Sequence, residues 1–284
     1  MRTKTIINIL VFCIIILAVI ASAYGFFSNN TIHENKVIQT VHEETVTLHG
    51  KGLYSNESVS MAAQARAQDS ITLFVGIPLL IVSLWLSNKN SIKGKLLLTG
   101  TLGYFLYTYV SYSFLVSYNM FFLMYVTLMS LSFFAFIINF TAPELKDLNS
   151  RFTRKFPKKY IGLFTIVVGL FVCLLWLGML VPSIKKAPAL LEQYTTFVIQ
   201  ALDLGFVVPA AILSGILLIK NKSLGYLLAS TIIIKGATLL LALVMMIIFM
   251  IMSGIDVPLI QIIVFPLCAL LCIINLFILL VCVT

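Results

Sequence analysis

The sequence predicts an all-α, polytopic integral membrane protein with eight transmembrane helices, and three observations lead to this fold class. Hydrophobic residues make up 61% of the 284 residues. Charged residues make up only 10%, which is fewer than the surface of a soluble domain requires. Eight apolar segments are each long enough to cross a bilayer as a helix, which takes about 20 residues. The lipid bilayer is therefore the first partner that we expect.

The predicted spans are joined by short polar connections and one larger insertion. They lie at residues 6–27, 70–87, 96–117, 120–140, 160–182, 195–219, 223–252 and 258–282. With the N-terminus inside, the inner connections carry 13 of the 19 basic residues, namely Arg2, Lys4, Lys89, Lys93, Lys95, Lys146, Arg151, Arg154, Lys155, Lys158, Lys159, Lys220 and Lys222. The positive-inside rule then places both termini in the cytoplasm. It also explains the formal charge of +9 without a nucleic-acid partner.

The N-terminal segment has two interpretations. It combines a basic start, an apolar run and the sequence Ala21-Ser22-Ala23, which is similar to a signal-peptidase site. Cleavage there would leave seven spans with the N-terminus outside. Because the apolar stretch continues through Phe26 and Phe27, it is long enough to span the bilayer, and we expect an uncleaved helix.

Residues 28–69 form the one sizeable hydrophilic insertion, which we call the outer insertion. Its β-branched stretches VIQTV and TVTLH predict a small β-hairpin, and Ser58 or Ser60 is the expected cap of the helix that follows. Polar side chains recur every four residues along that helix, which predicts a polar stripe facing the entrance of the bundle. The residues expected at this outer mouth are Gln64, Gln68 and Asp69.

The two halves of the chain are predicted to form an internal repeat. Residues 78–104 align with residues 209–235 without a gap, and 9 of the 27 positions are identical, including a mid-helix proline, a serine and a Lys-Asn turn. Both segments run in the same direction, which indicates a parallel repeat with its axis along the membrane normal. The alternative is coincidence within an apolar composition. The predicted units are a first four-helix half at 1–142, a cytoplasmic basic linker at 143–159 and a second four-helix half at 160–284.

The linker contains an amphipathic stretch. In the sequence PELKDLNSRF, Leu145, Leu148 and Phe152 share one face of a helix. We expect a short interfacial helix there, lying beneath the membrane.

Lys235 stands in the middle of the otherwise apolar stretch TIIIKGAT, where a charge needs a partner or a function. The acidic residue well inside a span is Asp203, and spans six and seven form an antiparallel hairpin. Asp203 lies roughly 17 residues before the turn and Lys235 about 13 after it, so at about 1.5 Å per residue their depths differ by about 6 Å. A lysine side chain covers that distance, and we expect an ion pair. The hydroxyl of Tyr104 is the second choice of partner for Lys235.

Polar side chains gather around this predicted pair. Pro209 cannot donate a hydrogen bond to the carbonyl of Gly205, so a kink is expected in span six beside Asp203. Broken helices at mid-membrane form the binding sites of many transporters. The alternative is a structural pair that locks a helix hairpin. The candidate binding residues are Asp203, Lys235, Gln200, Tyr104, Thr231 and Thr238.

No catalytic residue, metal ligand or cofactor is predicted. His33, His42 and His49 share the outer insertion, but their spacing matches no standard metal-ligand pattern. Lysine in a late span is also the retinal-binding residue of rhodopsins, although Lys235 lies in the penultimate span rather than the last. The sequence has no P-loop, no HExxH and no GxSxG motif, so a membrane enzyme is only the third hypothesis.

Several stretches resemble a family of uncharacterised prokaryotic eight-helix membrane proteins. They are GKGLY, AAQARAQDSITLFVGIPLLIVSLW, GKLLLTGTLGYFLYTY and QALDLGFVVPAAILSGILL with the following GYLLA, within residues 50–240. The resemblance implies a bacterial or archaeal plasma membrane as the location. It carries over no functional residues, because that family has no established activity.

A transporter or channel is the function that we expect first, and a sensor or assembly scaffold is the alternative. A transporter or channel for a small solute or ion, with its site near the kinked sixth span, is indicated by the intramembrane charge, the prolines and the repeat. A membrane-embedded sensor or assembly scaffold, acting through the outer insertion, is indicated by that insertion and by the absence of a known transport motif. A wide polar cavity between the halves would favour transport. Tightly packed helices beneath a grooved outer loop would favour sensing.

Overall fold

The chain is predominantly helical in a computed structural model that describes residues 2–34, 36–41, 43–183 and 191–284. Helix accounts for 76% of the residues and strand for 4%. Two pairs of helical segments continue into each other through a π-helical turn, so the described residues form eight long helices. These are α1 (Arg2–Phe27), α2 (Val59–Asn88), α3 (Ile92–Leu115), α4 (Phe122–Phe140), α5 (Lys158–Ser183), α6 (Val198–Ile219), α7 (Ser223–Met252) and α8 (Leu259–Cys282). The predicted all-α, multi-pass architecture is confirmed.

Seven of these helices are long and apolar enough to cross a membrane. The exception among the described helices is α3, which has 24 residues but begins with Lys93 and Lys95 and contains many hydroxyl-bearing side chains. The helix α2 starts well before the predicted second span, at Val59. It does so because Ser58 caps it, accepting a hydrogen bond from the Met61 N–H.

The helices run alternately between two ends of the bundle. At one of them, which we call the termini end, Lys4 Nζ donates to the Asn88 carbonyl at 2.7 Å. The Thr284 N–H donates to the Arg151 carbonyl at 2.9 Å at the same end. The opposite end contains the outer insertion, and we call it the hairpin end. Both termini therefore lie at one end of the bundle.

The centre of the bundle is formed by α3 and α7. The helix α7 packs against α2, α3, α6 and α8, while α3 also packs against α2 and α4. Gly100 of α3 permits the close approach, because a Cβ atom at this position would lie 2.3 Å from the Cβ of Ile234 on α7. Leu98, Leu102 and Ile234 are fully buried at this level. The two central helices are thus in direct contact, with no room for one additional methyl group.

A π-helical turn interrupts both α2 and α6. It spans Thr72–Gly76 in α2 and Asp203–Val207 in α6, and after each turn the next N–H donates to the carbonyl five residues earlier. Pro78 and Pro209 follow two residues after these turns. Because proline has no N–H, a helix must distort on its N-terminal side, and a widened turn is one form of that distortion. The distortion expected at Pro209 is therefore present as a π-helical turn.

The local geometry that follows the two π-helical turns is also the same. Asn90 after α2 and Asn221 after α6 both adopt the left-handed backbone conformation, with φ of 60° and 59°. Ser83 and Ser214 are both fully buried, and each donates to the carbonyl three residues earlier. Each pair, like the two prolines, is separated by 131 residues of sequence.

The outer insertion contains the predicted β-hairpin. Strand β1 (Val37–Gln39) pairs with the antiparallel strand β2 (Thr45–Thr47). Within β2, Val46 points inward and is buried, whereas the two threonines are exposed. A 3-10 turn at Gly52–Tyr54 then leads towards the cap of α2. The predicted hairpin is confirmed.

The linker does not form the predicted interfacial helix. It forms two 3-10 turns instead, at Pro143–Leu145 and Asn149–Arg151. The Ser150 hydroxyl donates to the Asp147 carbonyl at 3.0 Å, and local bonds of this kind compete with helical hydrogen bonding. The apolar side chains of the predicted face are nonetheless buried. They are Leu145, Leu148 and Phe152.

We expect Gly100→Ala to destabilise the protein, because the added methyl group would overlap Ile234 across the α3–α7 contact. Overpacking of a closed core costs about 1–3 kcal/mol. Gly178→Ala in α5 is the matched control, since no atom lies within 4 Å of a Cβ placed there. Thermal unfolding of both variants in detergent measures the difference. Equal stability of the two variants would contradict direct contact between the central helices.

Candidate functional site

A groove of about 490 Å³ opens at the hairpin end of the bundle. It lies between β2 and the start of α2, and the connections α5–α6 and α7–α8 complete its wall. We call it the hairpin groove. Its lining residues are Glu44, Thr45, Val46, Thr47, Ser58, Val59, Ser60, Glu192, Ser253 and Ile255.

The groove exists because the segment that runs beside β2 ends at Ser58. Leu48, just after β2, pairs with Ser58 in an isolated antiparallel bridge, and the His49 N–H donates to the Glu57 carbonyl at 2.7 Å. At Val59 the chain enters α2 and turns away from the strand. The space beside the rest of β2 is therefore left open.

Two carboxylates stand at the wall of the hairpin groove. Glu44 accepts a hydrogen bond from the Glu192 N–H at 3.1 Å, and Glu192 accepts one from the Ser58 hydroxyl at 2.6 Å. Within the part of the chain that the structure describes, the one ion pair shorter than 4.0 Å joins Lys95 and Glu144 at the termini end. No described cation therefore pairs with either groove carboxylate, and their negative charge favours a cationic group in the groove.

Glu57 is a third carboxylate, buried next to the groove, with 1% of its surface exposed. It accepts hydrogen bonds from the Ser117 N–H at 2.6 Å and from the Tyr194 hydroxyl at 2.5 Å. Burial raises the pKa of Glu57, and the nearby charge of Glu192 raises it further, although the two hydrogen bonds act in the opposite direction. These bonds tie the α3–α4 and α5–α6 connections to the start of α2.

The residues predicted at the outer mouth separate into two environments. Gln64 lies beside the groove, where its Nε2 donates to the Ser60 hydroxyl at 3.2 Å. Gln68 lies in the interior instead, with 5% of its surface exposed. Its Nε2 donates to the Tyr104 hydroxyl at 2.7 Å and to the Thr108 hydroxyl at 3.1 Å. The placement of Gln68 at the mouth is thus corrected.

Asp69 is also interior rather than at the mouth. It accepts hydrogen bonds from the hydroxyls of Tyr54 at 2.5 Å and Tyr112 at 3.0 Å. The α1 backbone passes so close that a Cβ atom at Gly25 would lie 1.9 Å from Asp69 Oδ2. Tyrosine donors from two elements thus take the place of water around this carboxylate, and they hold α2 against the outer insertion and α3.

The predicted ion pair between Asp203 and Lys235 is not direct. No oxygen of Asp203 lies within 4.0 Å of Lys235 Nζ. Instead, Lys235 Nζ lies 3.7 Å from the centre of the Tyr107 ring. The Tyr107 hydroxyl donates to Asp203 Oδ1 at 2.8 Å, and Trp176 Nε1 donates to Oδ2 at 2.9 Å. The two charges are therefore connected through an aromatic ring, in a cation–π contact followed by a hydrogen bond.

The position of α3 explains this correction. The depths of Asp203 and Lys235 along their own helices give no information about side chains from a third helix. In the structure, α3 places Tyr107 between the two residues. Tyr104, the second choice of partner, is occupied elsewhere, since its hydroxyl bonds to Thr72 at 2.8 Å and to Gln68. Tyr107 lies about one helical turn beyond Tyr104, and this spacing is the feature of the sequence that points to Tyr107 as a neighbour of the pair.

The other predicted site residues are not brought to this network. Gln200 is half-buried and its Nε2 lies 4.0 Å from the sulfur of Met179. The hydroxyls of Thr231 and Thr238 donate to the carbonyls of Leu227 and Ile234, four residues earlier in the same helix. The two threonines therefore satisfy their own helix and bind neither Asp203 nor Lys235 in the structure.

The described residues contain no group of three or more His, Cys, Asp or Glu side chains that could hold a metal ion. His42, one of the three histidines of the outer insertion, lies outside those residues. The chemistry available at the hairpin groove is thus that of two carboxylates, several hydroxyls and an exposed strand.

We expect Tyr107 to transmit the coupling between Asp203 and Lys235. Asp203→Asn and Lys235→Met should show a coupling energy of about 0.5–3 kcal/mol in a double-mutant cycle of stability in detergent. The same cycle in a Tyr107→Leu background should show a smaller coupling, because the ring and the hydroxyl are gone. Trp176→Phe is the control background, since it removes only the other donor to Asp203. Undiminished coupling without Tyr107 would mean that the charges interact directly.

Glu57 should make the protein less stable as the pH rises. The pKa of Glu57 is raised in the folded state, so its protonated form contributes to the free energy of unfolding. This contribution is fully present below the ordinary pKa of 4.5 and is lost as the pH rises through the raised pKa. We expect wild type to lose thermal stability relative to Glu57→Gln from pH 4.5 upward. Melting temperatures across this pH range measure the difference, with the exposed Asp256→Asn as the control. A wild-type advantage that grows with pH would contradict the shift.

No protein-family model matches the chain, and neither a curated protein nor a solved structure matches it. A function is therefore inferred from the geometry of the chain's own residues.

Proposed function

We propose that the protein is a membrane-embedded sensor or assembly factor that binds a cationic ligand in the hairpin groove. The observation that carries this proposal is the pair Glu44 and Glu192, which line a groove of about 490 Å³ and have no cation partner among the described residues. Their carboxylates are held in place by the Glu192 N–H and the Ser58 hydroxyl, so a ligand would meet a preorganised site.

The packing of the bundle supports recognition at its end rather than passage through its centre. The α3–α7 contact at Gly100 leaves no space for an added methyl group. Lys235 and Asp203 are 7% and 9% exposed, and aromatic side chains contact both. This is the combination of tight helices beneath a grooved outer loop that favours sensing.

The orientation in the membrane is part of the proposal. We infer that α3 crosses the bilayer together with the seven more apolar helices, because its 24 residues span about 36 Å and it packs between spanning neighbours. The basic connections lie at the termini end, so the positive-inside rule places that end in the cytoplasm. The hairpin groove then faces the outside of a prokaryotic plasma membrane.

The four-plus-four repeat is proposed on local geometry. The π-helical turns, the prolines and the left-handed asparagines all coincide under a shift of 131 residues. The contacts between helices correspond as well. The contact of α2 with α3 matches that of α6 with α7, and the contact of α3 with α4 matches that of α7 with α8. The correspondence ends at α1, which packs against α4, whereas α5 has little or no contact with α8. The halves 1–142 and 160–284 would thus be related but unequal.

Transport is the second candidate function, and the Asp203 network favours it. A carboxylate at a π-helical turn, joined through Tyr107 to a buried lysine, is an arrangement that proton- or ion-coupled transporters could use. This candidate places the ligand beside Asp203, whereas the preferred one places it beside Glu44 and Glu192.

The proposed function is tested with small cations on protein in lipid nanodiscs. We expect lysine amide and spermidine to raise the melting temperature of wild type, and glycerol and acetate to leave it unchanged. The shift should be lost in the double variant Glu44→Gln and Glu192→Gln, because the groove then has no charge. Asp256→Asn is the matched control, since it removes an exposed carboxylate that does not line the groove.

Two results would overturn the proposal. The first is the absence of any shift with either cation. The second is a shift that survives in the double variant and disappears with Asp203→Asn, which would support the transport candidate instead.

A further inference from the structure

Among the residues that the structure describes, no strand pairs with one edge of β2, and this edge faces the hairpin groove. Thr45, Val46 and Thr47 all line the groove, while β1 pairs with the opposite edge. Short unpaired strand edges are ready templates for another chain. The question is which groups this edge presents.

The register of the hairpin identifies the backbone groups that this edge presents. The Leu48 N–H donates to the Lys36 carbonyl, and the Thr40 N–H donates to the Glu44 carbonyl. Because bonded pairs alternate in an antiparallel ladder, the bonded pair between these two is Ile38 and Val46. The N–H and C=O of Thr45 therefore point away from β1, towards the groove.

One residue pair of a third strand is present beside this edge. The bridge between Leu48 and Ser58 is its first position, on the side of β2 opposite to β1. The chain then turns into α2 at Val59, so no described residue continues this strand beside Val46 and Glu44. The hairpin groove is thus the place where this third strand would continue.

We propose that the occupant of the hairpin groove is an extended peptide segment with a basic side chain, which binds by adding a strand to β2. This inference rests on the proposed function and names its ligand class. The peptide backbone would bond to Thr45, and its basic side chain would lie between Glu44 and Glu192. Strand addition of this kind gives affinity through the main chain and specificity through side-chain pockets.

The size and surface of the groove fit such a segment. At about 3.3 Å per residue, the length of β2 accommodates roughly three to five residues of an added strand. Val46, Val59 and Ile255 contribute apolar side chains to the lining of the groove. A small cation would use the charge alone, whereas a peptide strand would use the charge, the apolar surface and the free backbone groups.

The test uses a fluorescent pentapeptide, Val-Thr-Lys-Thr-Val with blocked ends, and full-length protein in nanodiscs. We expect it to bind at least tenfold more tightly than lysine amide. A peptide that is N-methylated at two consecutive residues should bind at least tenfold more weakly, because neither of its edges can then pair. Replacing its lysine with glutamate should abolish binding.

A pair of proline variants tests the edge of the hairpin itself. Thr45→Pro removes the N–H that faces the groove and should weaken binding of the pentapeptide at least tenfold. Gln39→Pro is the matched control, because Gln39 is the rung partner of Thr45 and its N–H points to the other edge. It should leave binding unchanged. Circular dichroism and melting temperature verify that both variants fold.

The outcomes separate this inference from the proposed function. If the peptide binds no better than lysine amide, or if methylation or Thr45→Pro has no effect, strand addition is refuted and the groove is a small-cation site. If neither the peptide nor lysine amide binds, the inference and the proposed function fail together.

Discussion

A charged group buried inside this bundle needs a partner within the protein, because a bilayer offers no water to hydrogen-bond with. Asp203 shows how the constraint is met: Tyr107 and Trp176, from two different helices, each donate to one of its oxygens. Asp69 is satisfied in the same way by Tyr54 and Tyr112. The packing of α2, α3, α5, α6 and the outer insertion therefore depends on where these two carboxylates lie.

The same constraint closes the centre of the molecule. Glycines permit close contacts in the bundle: Gly25 lies beside Asp69, and Gly100 allows α3 to approach Ile234 of α7. In the interior of the bundle, Asp69 and Asp203 each have a hydrogen-bond donor to both of their oxygens. The carboxylates that have no described cation partner lie instead at the hairpin end, where Glu44, Glu192 and the outer edge of Thr45 border an open groove. This distribution is why we place recognition there.

Most features that depend on local sequence were predictable, although the interfacial helix expected in the linker is absent from the described residues and two 3-10 turns take its place. Composition and segment length predicted the helical membrane architecture, and β-branched stretches predicted the hairpin. The serines before the second span predicted a cap at Ser58 or Ser60, and the structure uses Ser58. The shared proline and Lys-Asn turn indicated positions whose backbone geometry proves to be the same in both halves, including the turns at Asn90 and Asn221. Each of these depends on a few neighbouring residues.

Features that depend on three elements at once were not predictable. The direct pair of Asp203 and Lys235 followed from depth along two helices, but the rotation of α3 about its axis, which places Tyr107 between them, is decided by packing. The groove itself joins the outer insertion to the α5–α6 and α7–α8 connections, which are distant in sequence. Glu192 in particular had no signal, since only its contact with Glu44 and Ser58 distinguishes it from other loop glutamates.

The most direct test of this account is hydrogen–deuterium exchange of the protein in nanodiscs, with and without the lysine pentapeptide. The Thr45 N–H points into the open groove in the free protein, so it should exchange rapidly and become protected when the peptide binds. The residues around Asp203 should show no change. Protection at Asp203 and Lys235 with none at Thr45 would contradict the account and place the ligand inside the bundle.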